Sequence, residues 1–156
     1  MRCSSASRQS DLLTGVAVKQ LLGVILAGLL VVAAAAAPDD AEQVAGAEAA
    51  ALAWLALTDS GSYAQSWDQA AGMFQGAISR ESWISAVVNA RQPLGKVISR
   101  KVKSALYTRS LPGAPAGEYV VIQYDTQFEQ KATASEFVTP FRDKDGSWKV
   151  SGYYVK

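Results

Sequence analysis

The chain of 156 residues has no histidine and a single cysteine, Cys3. Beyond Cys3 there is neither thiol nor imidazole. That rules out disulfides, thiolate nucleophiles, Ser-His dyads and metal sites built on His or Cys. No Ser-x-x-Lys pattern stands at the start of a predicted helix, and no two acids are placed like a glycosidase pair. Excess charge is missing too: 15 Lys and Arg face 14 Asp and Glu, a net of +1. Nucleic-acid binders present a strongly basic face, so this balance argues against that partner class, and no nucleic-acid partner is expected. No metal and no cofactor is expected.

Residues 1–37 differ in kind from the rest. Arg2, Arg8 and Lys19 stand against Asp11 alone. An apolar run over 21–32 follows, then five alanines and Pro38. A basic start, an apolar stretch and small residues before a break describe a secretory signal, with cleavage expected near 35–37. Cys3 precedes the run, so it cannot serve as a lipoprotein cysteine. The run over 21–37 is slightly short of the ~20 apolar residues a membrane helix needs. The alternative is a retained anchor in the inner membrane. The expected location is the periplasm or the exterior. Setting aside these three cations and one acid leaves 12 basic and 13 acidic residues over 38–156. That length buries about two thirds of its unfolded surface, enough for one domain.

The stretch over 50–74 organises this domain. Residues 41–57 are rich in alanine, with Val44, Ala51, Leu52 and Leu55 at helical spacing. Glu42 and Glu48 near the start suit the helix dipole. The turn Asp59-Ser60-Gly61-Ser62 breaks this first helix. Tyr63, Trp67, Ala70, Ala71 and Phe74 then form one face of a second helix, over 63–74. Ser62 with Gln65 reads as its capping box. Ser79 caps a third helix with Glu81 in its first turn and Trp83, Val87 and Ala90 on one face. Arg91 meets the negative end of that helix, Pro93 stops it, and Gly95 permits a positive φ.

The period then changes. Residues 96–108 read as a strand with Ile98, Val102 and Leu106 on one side. Residues 111–117 are a loop. Over 118–130, Val120, Ile122, Tyr124, Thr126 and Phe128 face one way, and Gln123, Asp125, Gln127 and Glu129 the other. Strands over 137–142 and 148–155 follow, joined at Asp145-Gly146, which reads as a type I′ turn. Alternation is poor at 134–136, which reads as a bulge. The expected fold is α+β: three N-terminal helices packed on a curved, four-stranded antiparallel sheet.

The segments W-L-A-L-T-D-S-G-S-Y-A-Q-S-W, S-W-I-S-A-V-V-N-A-R-Q-P-L-G, R-K-V and D-G-S-W-K-V-S-G-Y-Y-V-K resemble the bacterial family called domain of unknown function 4019. The resemblance covers 41–156. It implies a shape similar to the nuclear-transport-factor-2-like (NTF2-like) or cystatin-like class, a curved sheet wrapped on helices. It brings no activity and no site, and such a fold analogy does not specify function.

Several residues are candidates on chemistry alone. Asp59 and Tyr63, one turn apart, form either an acid-base pair at a pocket mouth or a helix-start acid beside a packed ring. Asp125 is either a buried general base or a solvent-facing strand residue. Asp68 is an isolated acid. Lys96, Arg100, Lys101, Lys103 and Arg109 form a run without an acid, which reads as a solvated face, a guard against strand pairing, or a contact for anionic lipid or a partner. Trp54, Trp67, Trp83 and Trp148 form either core or an aromatic cage. Arg91 is either an anion ligand or a helix terminator. Trp54, Trp67, Tyr124 and Arg91 are the ligand-binding candidates. The reading is an exported, non-catalytic binding module for an unknown protein or small apolar ligand, touching the membrane only if its first segment is retained. The alternative is a small cone-fold enzyme that moves protons on an apolar molecule with an Asp/Tyr pair.

Overall fold

The alanine-rich start forms α1, Pro38–Asp59, with Asp39 and Asp40 in its first turn. Pro suits a first helical turn, where an amide would have no partner. The helix ends where Ser62 N–H bonds Leu57 O at 2.8 Å and Gly61 takes a φ of 77°. That left-handed residue closes the open carbonyls of the last turn. The computed structural model describes residues 38–156, so the readings on 1–37 lie outside the described residues.

The single helix expected over 63–74 is two, α2 (Tyr63–Asp68) and α3 (Gly72–Ala77). Between them Ala71 is extended, and its N–H bonds Val150 O at 2.8 Å. A long-range bond thus outcompetes local propensity. The Ser62 capping box does not form: ψ there is 53°, and the side chain lies 3.0 Å from Ser60 Oγ. The Ser79 cap does form. Its hydroxyl accepts from Ser82 N–H at 3.2 Å and starts α4, Arg80–Arg91. A 3-10 turn, Gln92–Leu94, and Gly95 at φ 73° lead into the sheet.

The strands are β1 (Val97–Thr108), β2 (Tyr119–Phe128), β3 (Lys131–Arg142) and β4 (Trp148–Val155). They form one antiparallel meander in the order β1-β2-β3-β4. In β2, Val120, Ile122, Tyr124, Thr126 and Phe128 are all buried toward the helices, as their alternation predicts. Trp54, Leu55, Trp83 and Val87 meet Val120, Ile122, Val138 and Val150 in the core.

Three local expectations need correction. Ile98, Val102 and Leu106 do not share a face, because the register slips between Val97 and Ser99 and again between Val102 and Ser104. Each slip inserts one residue and reverses the parity. Arg100 and Val102 therefore pair with the inward Thr126 and Tyr124, whereas Leu106 pairs with Val121 on the outer face. No bulge lies at 134–136. There Ala134 and Glu136 both point inward, and Glu136 is fully buried. The last hairpin has a longer loop than a two-residue type I′ turn. Gly146 N–H bonds Asp143 O and Asp143 N–H bonds Ser147 O, both at 2.8 Å, so Lys144, Asp145 and Gly146 form the loop, with φ 80° at Gly146.

Candidate functional site

Six side chains from six elements converge on the inner side of β1. Asp59 ends α1, Arg91 ends α4, and Arg100, Thr126, Glu136 and Tyr153 come one from each strand. Glu136 is the hub. It accepts from Arg91 Nη1 at 2.7 Å, Arg100 Nε at 2.7 Å, Thr126 Oγ1 at 2.7 Å and Tyr153 OH at 2.8 Å. Asp59 receives Arg100 at 2.8 and 3.0 Å and also pairs with Arg91 Nη2. Two guanidinium groups thus face two carboxylates, and the charges balance. The Arg91 guanidinium also lies 4.8 Å from the centre of the Phe128 ring.

Burial opposes charge on both arginines, yet both pKa values are raised. For Arg91 the contributions of Tyr153, Glu136 and Asp59 outweigh burial. For Arg100 the hydrogen bonds to Asp59 and Glu136 do so. Burial first, and then the charge of Glu136, pushes the Tyr153 phenol up. A network in which every carboxylate oxygen has a donor is stiff, and losing one member strands a buried charge.

Asp59 and Tyr63 both line a cleft of about 180 Å³ with Arg91, Lys96 and Glu129. Three guanidinium contacts occupy the two oxygens of Asp59, which turns to the arginines rather than to the amides of α2. Arg91 is 4% exposed, and its anions are Asp59 and Glu136. Asp125 lies on the outer face, opposite Lys101 and 3.4 Å from Lys103 Nζ. Asp68 holds Arg80 at 3.0 Å on the surface.

The tryptophans do not gather into a cage. Trp54 and Trp83 are buried, with ring centres 5.7 Å apart. Their indole N–H groups both end on buried Ser66, one on its carbonyl at 2.7 Å and one on its hydroxyl at 2.9 Å. Trp67 donates to Ile78 O at 2.9 Å. Trp148 lies over Gly46, where a Cβ would sit 3.2 Å from its ring. Tyr124 is buried among core residues, and its hydroxyl has no hydrogen-bond partner among the described residues. Burial, followed by the charge of Glu48, pushes that phenol up to about 12.

Sequence reasoning missed Glu136, Thr126 and Tyr153, and placed Arg100 on a solvated face. One signal was present. Glu136 is an acid at an inward position between Ala134 and Val138, and the weak alternation there marks a buried charge. Among the described residues no three acidic or cysteine side chains are grouped to hold a metal ion, and no helix is long and apolar enough to cross a membrane.

Neither the curated proteins nor the solved structures contain a match to the chain. The model of the family described as "Protein of unknown function (DUF4019)" matches residues 50–153. This span takes in all six members of the buried cluster and most of the sheet, and the chain belongs to that family.

Proposed function

We propose that this protein is an exported, non-catalytic binding module of the cell envelope, with 1–37 as its signal segment and 38–156 as its one domain. One observation carries the binding reading. Among the described residues the large apolar side chains most open to solvent are Leu52, Ile98, Val102, Leu106 and Tyr154. Three of these are on β1. Leu52 lies on the stripe of α1 that also carries Glu48 and Asp59, the latter bonded to Arg100 of β1. Val102 faces the inner side and Leu106 the outer side of this edge strand, so open apolar side chains flank the edge on both faces, which supports a surface that meets a partner.

The enzyme alternative needs a carboxylate free to take a proton. Asp59 is held by two arginines and Asp125 is open to solvent beside two lysines, which favours binding over proton transfer. Export is supported by the charge and apolar pattern of 1–37.

The test is the size of the native complex. The chain, extracted from its own cells, should run well above 16.5 kDa, the mass of all 156 residues before any cleavage. The Val102→Asp/Leu106→Asp variant should run alone. If parent and variant both run alone, the binding reading is wrong. Intact mass checks export: loss of about the first 37 residues supports it, and a chain still carrying 21–32 supports the anchor.

A further inference from the structure

We propose that the free edge of β1 is a docking strand for an extended segment of another protein, one that is acidic on one face and apolar on the other. This rests on the binding-module reading and names the kind of partner. β1 is the first strand of the sheet, and only β2 pairs with it among the described residues. Its other side offers unpaired backbone groups to an added strand. The opposite edge is partly taken, since Ala71 N–H bonds Val150 O of β4.

Ahead of the second slip, from Ser99 to Lys103, the two faces of β1 specify the partner's alternation. On the inner side Val102 is 46% exposed, and Leu52 of α1 is 49% exposed. They call for apolar side chains. On the outer side Lys101 and Lys103 stand around Asp125, two cations for one acid, and Leu106 follows on that face only beyond the second slip. No acid occurs between Lys96 and Arg109. The nearest acids on the helix side do not cancel this outer charge. Asp59 is committed to Arg91 and Arg100, and Glu48 lies near the inward Tyr124. A second copy of β1 would bring lysine against lysine, which disfavours self-pairing. The same lysines attract a strand that carries Glu or Asp at alternate positions. They reject one partner and select another.

The probes are two fluorescein-labelled peptides of about eight residues, one alternating Glu with Val and one alternating Lys with Val. Titrated with the full-length chain, the Glu/Val peptide should bind at least about tenfold more tightly than the Lys/Val peptide. It should also slow amide exchange over 99–108 and lose binding when N-methylated at alternate residues. The Lys101→Glu/Lys103→Glu variant should reverse the preference while melting close to the parent. The proposal is overturned by no binding, by equal binding of both peptides, or by protection elsewhere. It is equally overturned if the chain alone forms a concentration-dependent dimer with β1 protected. Should it fall while the native complex still depends on Val102 and Leu106, the binding reading survives without strand pairing. Should that complex also be absent, both fall.

Discussion

β1 and β4 are the two edges of one sheet, and they are finished differently. At β4, Ala71 caps a backbone carbonyl, Val150 is buried, and Trp148 lies against Gly46 of α1. At β1, two bulges and two lysines line an edge that no described element covers, and three large apolar side chains stand open. Between the edges the Glu136 cluster ties the inner side of β1 to the ends of α1 and α4. The difference separates two tasks. Buried contacts hold β1 in place from within, so its outer edge contributes little to stability and is free to meet a partner.

The strongest way to break this comparison is to remove the inner anchor. Glu136→Ala leaves Arg91 and Arg100 sharing Asp59 alone, and should cost about 3–5 kcal/mol in urea denaturation. A midpoint within error of the parent would show that the cluster does not hold β1. At the covered edge, Ala71→Pro suits the local φ of −60° but deletes the amide that meets Val150. The expected loss is ~1–3 kcal/mol, the range for a buried group left unpaired.

Two tyrosines sharpen the contrast inside the core. Tyr153→Phe loses a donated bond to Glu136 and an accepted bond from Arg91, and should cost roughly 1.5–3 kcal/mol. Tyr124→Phe removes a buried hydroxyl without a partner and should leave stability within ~1 kcal/mol of the parent. The same phenols set an alkaline limit. Tyr124 is raised from 10.0 to about 12, so the folded chain keeps a proton that the unfolded chain gives up. Its contribution is complete below pH 10 and is lost as pH rises toward about 12. Denaturation midpoints across that window should fall, and the fall should be shallower in Tyr124→Phe. The smallest effect is expected at the open edge. Leu106→Asp should change stability by no more than ~0.5 kcal/mol, as for an ordinary surface site, while the native complex is lost.

Some of this was legible from residue order and some was not. The alternation of β2, the bounds of β4, the Ser79 cap and the positive φ at Gly95 are local matters, and local chemistry decided them. The break between α2 and α3 is not local, because it exists for a bond between Ala71 and Val150. The faces of β1 could not be read, since each bulge inverts every residue beyond it and an inserted residue leaves no mark in composition. The cluster joins Arg91 to residues 32 and 45 positions away, so no spacing rule connects them. Its one trace was Glu136, where a charge interrupted an inward apolar series. The acid-base candidates failed to separate for a related reason: Asp59 and Tyr63 do share a cleft, but the arginines that occupy Asp59 come from α4 and β1.

The central claim is that the open edge, and not the covered one, meets the partner. The most direct measurement places the photo-crosslinking residue benzoylphenylalanine in place of Leu106 or of Tyr154, exposed apolar side chains on opposite edge strands. Illumination of living cells should yield a discrete higher-mass adduct from position 106 and none from position 154. An adduct from 154 alone, or from neither position, would contradict the account.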